Sequence, residues 1–280
     1  MNGLSLLDHL AIINDPRQQW KIEHKLSDIL FLAIVAVIGG AEGWEEIEDF
    51  GVDHLEWLKQ YGDFDNGIPV HDTIARVMSM ISAKQLQKSF AAWMRDCHIA
   101  TEGEVIAIDG KSLRGTYNKD RRQGIIHMVS AFSAANQVVL GQVKTAEKSN
   151  EITAIPELLE ILNIRGCLVT IDAMGCQKAI AKKILDKEAD YLLAVKSNQG
   201  RLEAAFDNYF KLEMLQSDEG DTYSTKEQGH GRIETRLCLV NDELSVLGDI
   251  AFEWPELKTM GIVATIRQEK GQPATGITLR

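Results

Sequence analysis

The sequence has few of the features that mark secreted, fibrous or disulfide-stapled proteins. Its 280 residues include only 4 cysteines, none of them in a Cys-x-x-Cys pair, and only 5 prolines. Such scattered cysteines indicate neither a disulfide framework nor a zinc knuckle, and they are typical of buried thiols in a reducing cytosol. A composition that is 45% hydrophobic and 25% charged excludes collagen-like and wholly disordered chains.

Long hydrophobic runs and a signal sequence are missing as well. The most apolar run, at 29–38, has ten residues, whereas a membrane span needs about 20. The N-terminal stretch carries Asp8 and Asp15 where a signal peptide needs a basic start and an uninterrupted apolar segment. We therefore expect a cytoplasmic protein with no membrane partner, and a buried helix at 29–38 that ends at the glycine pair behind it.

Positive charge is in deficit over the whole chain, but not in its middle. Lys and Arg number 30 against 41 Asp and Glu, which gives a net charge of −11 and argues against blanket binding to nucleic acid. Residues 1–100 carry 8 basic and 15 acidic groups, 101–200 carry 13 and 12, and 201–280 carry 9 and 14. The acidity therefore lies in the flanks, and any polyanion site belongs in the middle segment.

Hydrophobic spacing divides the chain into two regions. Over 1–98 apolar residues recur at helical intervals, which predicts a helical N-terminal domain. Over 102–280 short apolar runs alternate with helical segments in the order β-β-β-α-β-α-β, with strands expected at 104–108, 125–133, 137–145, 166–171 and 191–196. This order predicts an α/β mixed sheet covered on both faces. Further strands at 233–240 and 258–268 predict a β-rich C-terminal insertion.

Two aspartates follow apolar strands in closely parallel contexts. Asp109 comes after Ile108, and Asp172 comes after Ile171. In an open α/β sheet, reactive groups gather at the carboxyl ends of strands. If the two strands are neighbours, the carboxylates repel one another unless a hard divalent ion, Mg²⁺ or Mn²⁺, lies between them. The alternative is that each aspartate merely caps the turn that follows it.

Basic residues lie close to Asp109 in the sequence. Each Lys or Arg can neutralise one phosphate of a nucleic acid backbone, so these residues are candidate phosphate contacts. A solvated loop is the alternative. The candidates are Lys111, Arg114, Lys119, Arg121 and Arg122, together with Lys196 after the fifth strand.

Four segments resemble the H-repeat-associated (Rhs-element-linked) insertion-sequence transposases of bacteria, which belong to the DDE superfamily. They are AIDGKSLRG at 107–115, TIDAMGCQ at 170–177, LAVKSNQG at 193–200 and GHGRIETR at 229–236. The resemblance covers essentially the whole chain and implies a ribonuclease-H-like fold with Asp109 and Asp172 as the first two catalytic acids. It implies metal-dependent DNA cleavage and strand transfer, with Mg²⁺ or Mn²⁺ as cofactor, double-stranded transposon ends and target DNA as partners, and a homodimer by analogy.

The resemblance also sets expectations for the domains and for a third acid. Residues 1–98 correspond to a transposase-associated domain and 102–280 to the catalytic domain. Such transposases carry a third carboxylate on a helix after the fifth strand, whereas Glu234, the most prominent candidate, lies in a segment that alternates as a strand. The related proteins continue past residue 280 into a further helix. We therefore expect a C-terminally truncated catalytic domain that cleaves DNA poorly or not at all.

Two other functions fit the same residues. A non-catalytic remnant would bind DNA or a partner through its helical region, where Lys84, Lys88 and Arg95 are the best basic candidates. A structure-specific nuclease of the same fold would cut DNA that lacks terminal repeats.

Overall fold

The first region of the molecule is built from helices. A computed structural model describes residues 5–97, 102–113, 126–145, 151–211, 214, 221–229, 232–269 and 275–279. The helices of the first region are α1 (Leu6–Ala11), α2 (Leu26–Ile38), α3 (Trp44–Asp53), α4 (Leu55–Leu58), α5 (His71–Met80) and α6 (Ala83–Cys97). Their positions confirm the helical periodicity of the sequence.

Helix α2 lies at the centre of this helical region. It is apolar on nearly every side, so it packs against neighbours all round instead of presenting one stripe. Ile29, Leu30 and Leu32 are at most 1% exposed, and α1, α3 and α5 surround them. The helix ends at Gly39, whose N–H donates to the carbonyl of Val35 at 2.8 Å. In the part of the chain that the structure describes, no helix combines the length and the apolar character that crossing a membrane requires.

The second region contains a mixed five-stranded sheet. Its strands are β1 (Val105–Leu113), β2 (Ile126–Ser133), β3 (Val138–Lys144), β4 (Leu168–Ile171) and β5 (Asp190–Leu193), in the spatial order β3-β2-β1-β4-β5. β1 is antiparallel to β2 and parallel to β4, and β4 is parallel to β5. The helices α7 (Glu151–Ile161) and α8 (Lys178–Leu185) connect the parallel strands. The predicted order of strands and helices is confirmed.

Helices of the described chain cover only one face of this sheet. On that face Ile106, Val169 and Ile171 are buried beneath α7 and α8. The alternate positions are half-buried at Val105, Ala107 and Thr170, and Leu192 on β5 is 60% exposed. The prediction of a sheet covered on both faces is therefore wrong for the described residues. Short apolar runs suggested burial on both sides, but a four-residue strand needs only two buried residues on one face.

Strand β5, predicted at 191–196 in a sheet covered on both faces, is not buried on both sides. It lies at the edge of the sheet, and its residues alternate between exposed and half-buried. Only Tyr191 and Leu193 face the covered side, where they contact two hydrophobic cores.

A separate antiparallel sheet follows α9 (Gly200–Tyr209), as the β-rich insertion predicted. Its strands run in sequence order: β6 (Asp221–Gly229), β7 (Arg232–Asn241), β8 (Met260–Glu269) and β9 (Thr275–Leu279). The short helix α10 (Asp249–Glu253) lies between β7 and β8. Leu239 and Ala264, both fully buried, pack with Leu202 of α9 in a core of their own. The sequence did not predict β6, because its residues are almost all polar and exposed and therefore show no apolar pattern.

Helix α6 takes part in two hydrophobic cores. Leu86 packs against the core of the helical region, whereas Phe90, Trp93 and Met94 pack against the core beneath the five-stranded sheet. The same helix packs against both α1 and β3. α6 therefore joins the helical region to the sheet through apolar contact.

The cysteines are free, but not all of them are buried. Cys167 and Cys176 lie in cores, and burial raises the pKa of the Cys176 thiol to about 11. Cys97 is exposed and Cys238 is half-buried, so the expectation of buried thiols holds for two of the four.

Candidate functional site

The strand register brings Asp109 and Asp172 together. β1 and β4 pair in parallel, and the last paired residues are Ile108 and Ile171. Each aspartate directly follows its isoleucine, so the two are level across strands that lie about 4.8 Å apart. Because Ile108 and Ile171 point into the core, alternation places both aspartates on the open face, where both are exposed. The two strands are therefore neighbours, which is the condition under which the two carboxylates lie side by side.

Asp109 lies within β1, whereas the sequence predicted that the strand ends directly before it. β1 continues to Leu113 by pairing with β2 alone, with Asp109 opposite Ser130. The sequence predicted that this strand ends at residue 108, but antiparallel pairing with β2 extends it to Leu113. Beyond Ile108, β1 therefore has β2 on one side and the turn after β4 on the other. The aspartate lies at the point where β1 and β4 separate.

Asp172 also caps the turn that follows it. Its Oδ1 accepts a hydrogen bond from the N–H of Met174 at 3.0 Å, at the start of the 3₁₀ helix Ala173–Gly175. The capping alternative is therefore confirmed for this oxygen. Oδ2 has no hydrogen-bond partner among the residues that the structure describes, so it is available to a ligand on the open face.

Close packing fixes the turn from beneath. A Cβ placed on Gly175 would lie 2.2 Å from Ile171 Cγ2 and 3.0 Å from Ile155 Cδ1. Only glycine lets the backbone lie this close to β4. Side chains of the loop after β5 reach the turn from above, where Asn198 and Gln199 donate to its carbonyls.

The candidate phosphate contacts are only partly described. Lys111 is exposed on β1, two residues after Asp109 and on the same face of the sheet, and not in the solvated loop that was the alternative. Lys196 is exposed directly before the 3₁₀ helix Ser197–Gln199. Both come after the residues of β1 and β5 that pair in parallel, at the carboxyl ends where the two aspartates also lie. Four predicted contacts fall outside the described residues, namely Arg114, Lys119, Arg121 and Arg122.

Glu234 lies in β7 of the second sheet, as its alternating pattern indicated. Its side chain is only 12% exposed and has three arginines around it. Arg236 contacts it at 3.0 Å, Arg232 at 3.8 Å and Arg267 at 4.0 Å. This carboxylate is already neutralised by its neighbours, which argues against a role as the third acid.

The donor set of the open face suits a hard divalent ion only in part. Within the described ranges, no group of three or more His, Cys, Asp or Glu residues could hold a metal ion. Two neighbouring carboxylates are nevertheless the protein contribution that Mg²⁺ commonly takes, with water and substrate phosphate completing its shell. Asp109 and Asp172 therefore fit an ion that a bound phosphate helps to hold.

Sequence reasoning missed an ion cluster close to these loops. Glu253 binds Lys178 of α8 at 2.5 Å and Arg201 of α9 at 2.9 Å. Lys178 and Arg201 lie in the first turns of the helices that follow β4 and β5. The cluster therefore connects the insertion to the loops that carry the site. No local pattern could have found it, because its partners are far apart in the chain.

Comparison with known proteins identifies the family of this chain. A family model described as the transposase DDE domain matches residues 100–279, and one described as DDE_Tnp_1-associated matches residues 7–94. The chain belongs to the DDE transposase family. The family resemblance inferred from the four sequence segments is thereby confirmed.

Three relatives of this DDE transposase family member are proteins of Escherichia coli. "Putative transposase YncI" of strain O157:H7 is 58% identical over 281 residues, which span 100% of this chain and 72% of that protein. "H repeat-associated putative transposase YhhI" of strain K12 is 57% identical over 96% of this chain and 72% of its own length. "H repeat-associated putative transposase YbfD" of strain K12 is 58% identical over 89% of this chain and 98% of its own length.

One solved structure is similar over much of the chain. A piggyBac transposase synaptic complex with hairpin DNA matches 82% of this chain and 55% of that chain, with 12% identity and a TM-score of 0.36. A TM-score this low does not establish a shared fold.

Proposed function

We propose that this protein acts on DNA as a transposase of a bacterial insertion sequence, with Asp109 and Asp172 as two of its catalytic acids. The observation that carries the proposal is the register of β1 and β4, which puts both carboxylates level on one open face. Membership of the DDE transposase family supplies the reaction class, phosphodiester hydrolysis followed by strand transfer.

The residues of the site would divide the work as follows. Asp109 and Asp172 would hold the divalent cofactor, Mg²⁺ or Mn²⁺, on the open face. When bound, such an ion neutralises charge on the phosphate and supports in-line displacement. The Met174 N–H keeps Asp172 in one rotamer through Oδ1, so that Oδ2 meets the ion without a large loss of side-chain entropy.

Basic residues around the two aspartates would receive the DNA backbone. Lys111 and Lys196 are the described members of this set, and Arg114, Lys119, Arg121 and Arg122 complete it in our proposal. Each contact would release counterions, so binding would weaken steeply with salt. A near-neutral middle segment allows this contact in a chain that is acidic overall.

We further propose a ribonuclease-H-like architecture for the catalytic part. The strand order β3-β2-β1-β4-β5, with only β2 antiparallel to its neighbours, supports it. In this proposal residues 1–98 form the associated domain and 102–280 the catalytic domain, which works in the bacterial cytoplasm where its DNA lies. Bridging of two transposon ends would use a homodimer, which light scattering of the DNA complex would reveal.

A second proposal is that this chain binds DNA and metal but cleaves poorly. The observation that favours it is the lack of a third metal-binding side chain beside the two aspartates in the described ranges. Two carboxylates hold an ion less firmly than three and leave more of its shell to water and phosphate.

One experiment tests both proposals. Fluorescence anisotropy with a duplex carrying the inverted repeats that flank the gene measures binding with and without Mn²⁺, and a denaturing gel measures nicking. We expect Mn²⁺ to strengthen binding in the unmodified chain and in Asp186→Asn, an exposed control, but not in Asp109→Asn. DNA affinity that is the same with and without Mn²⁺, and the same in Asp109→Asn, would contradict the site. Robust nicking that depends on Asp109 would contradict the second proposal, and equal nicking of repeat-free DNA would indicate a nuclease.

A further inference from the structure

The loop that follows β5 holds the turn that carries Asp172. Asn198 Nδ2 donates to the carbonyl oxygen of Ala173 at 2.5 Å, and Gln199 Nε2 donates to the carbonyl oxygen of Cys176 at 2.8 Å. These two carbonyls lie at the two ends of the 3₁₀ turn directly after Asp172. Because β4 and β5 are parallel neighbours, both loops leave the sheet at the same edge.

The clamped stretch contains the group that orients Asp172. The N–H of Met174, one residue after Ala173, is the donor that Oδ1 of Asp172 accepts at 3.0 Å. The turn is closed further by the N–H of Cys176, which donates to Ala173 at 3.2 Å. A shift of this short turn would therefore move the Met174 N–H and, with it, the carboxylate.

The clamp is made from side chains of a site loop. Ala173 and Cys176 are buried while Asn198 is exposed, so the loop reaches inward from the open edge to satisfy carbonyls at the back of the turn. The backbone at Gly175 already lies so close to β4 that a Cβ there would be 2.2 Å from Ile171. The turn therefore has no room to move toward β4. The turn is thus held between the strand beneath it and the two amides above it.

We propose that Asn198 and Gln199 are positioning residues for Asp172, and that they fix its carboxylate for the divalent ion. This inference rests on the proposed function of Asp172. The same loop contains Lys196, two residues before Asn198, so a phosphate contact at Lys196 is mechanically linked to the carboxylate. Partners in the second layer around a metal commonly change its affinity by about 10- to 100-fold.

The first test needs no metal. Amide hydrogen exchange of the full chain, followed by NMR, reports the turn directly at Met174 and Cys176. In Asn198→Leu, which removes the amide at similar volume, we expect exchange at both amides to rise by about 10-fold or more, as for a cooperative local opening. The amide of Ile184 in α8 serves as the internal reference, and Ser197→Ala serves as the matched control. Unchanged exchange at Met174 in Asn198→Leu and in Gln199→Leu would overturn the clamp.

The second test connects the clamp to the ion. Electron paramagnetic resonance of free Mn²⁺ gives its affinity for the unmodified chain, Asp172→Asn, Asn198→Leu, Gln199→Leu and Ser197→Ala. We expect Asn198→Leu and Gln199→Leu each to weaken binding by about 10-fold, with melting temperatures that stay close to that of Ser197→Ala. Restoring an amide with Asn198→Gln should recover part of the affinity.

The possible failures are distinguishable. If Asp172→Asn weakens Mn²⁺ binding while Asn198→Leu and Gln199→Leu do not, the positioning role is wrong and the proposed function stands. If Mn²⁺ affinity is the same in the unmodified chain and in Asp172→Asn, the proposed function is wrong. The two amides are then ordinary structural contacts, and the positioning role is overturned with it.

Discussion

Ile108 and Ile171 are direct partners in the parallel register of β1 and β4, and each is followed by an aspartate. Equal spacing from a paired residue is what makes Asp109 and Asp172 level and puts them on the same face. A slip of the register by one residue would turn one of them into the core. The two-carboxylate site therefore depends on the buried isoleucines that lock the register.

The turn after β4 should tolerate only glycine at position 175. In Gly175→Ala the new Cβ would meet Ile171 Cγ2 at 2.2 Å, and overpacking of this kind costs about 1–3 kcal/mol. Urea denaturation should show that loss of unfolding free energy. Gly200→Ala is the matched control, because nothing lies within 4 Å of its Cβ and its φ of −54° is helical. Equal stability of the two variants would contradict the close packing.

Asp28 should destabilise the helical region at neutral pH. The side chain is in a residue only 3% exposed, its Oδ2 has no hydrogen-bond partner in the described structure, and burial raises its pKa. The folded state therefore disfavours the charged form, so stability is greatest below the ordinary pKa of 3.8 and falls as pH rises through the raised value.

Replacement of Asp28 tests that conclusion. Asp28→Asn keeps an acceptor at Oδ1 and removes the charge, so it should raise the unfolding free energy by about 1 kcal/mol near pH 7. The gain should vanish near pH 3, where both proteins are neutral at this position. Asp49→Asn, on the exposed side of α3, is the control. A loss of stability at pH 7 in Asp28→Asn would show that the charged carboxylate, including Oδ2, is stabilised in the folded protein.

His71 should give the helical region a pH dependence near neutrality. Its Nδ1 lies 2.6 Å from Glu48 Oε2, and this hydrogen bond raises the pKa of His71 above 6.5. A raised histidine pKa contributes stability that is fully present below the unfolded value and is lost as pH rises through the folded value. The melting temperature should therefore fall as pH rises above the ordinary pKa of 6.5. Glu48→Gln should flatten this slope, and an identical slope in both proteins would reject the assignment.

Glu234 should be a structural residue and not a metal ligand. Glu234→Gln leaves Arg232, Arg236 and Arg267 without their shared counter-charge, so we expect a loss of about 1 kcal/mol in unfolding free energy. Mn²⁺ affinity should not change. The control is Glu227→Gln. The Glu227 side chain is 67% exposed and, of these three arginines, contacts only Arg236, at 3.6 Å. Loss of Mn²⁺ binding in Glu234→Gln would restore it as a candidate third acid.

The spacing of apolar residues predicted the order of helices and strands in this chain, because each kind of element has its own hydrophobic period. The apolar run of α2 and the two isoleucine-aspartate pairs are visible in the sequence. They predict a buried helix and two apolar strands that are each followed by an aspartate. The same pattern could not locate the end of β1, since Lys111 is in a strand only through pairing with β2. Nor could it show the open face, because burial depends on which elements cover a sheet.

The features that the sequence could not predict are contacts between residues far apart in the chain. Asn198 and Gln199 stand within a motif that the sequence singled out, but their partners, the carbonyls of Ala173 and Cys176, are backbone atoms without a sequence signature. Glu253 likewise meets Lys178 and Arg201 only after the insertion folds back. Such links need the tertiary structure.

The most direct test of the site is Mn²⁺ binding measured by electron paramagnetic resonance in the unmodified chain and three variants. Asp109→Asn and Asp172→Asn keep the shape of the site and remove one charge each, whereas Asp186→Asn removes an exposed charge elsewhere. If the two aspartates share an ion, each of the first two variants should bind Mn²⁺ at least about 10-fold more weakly, and Asp186→Asn should match the unmodified chain. Equal affinity in all four proteins would contradict the shared site.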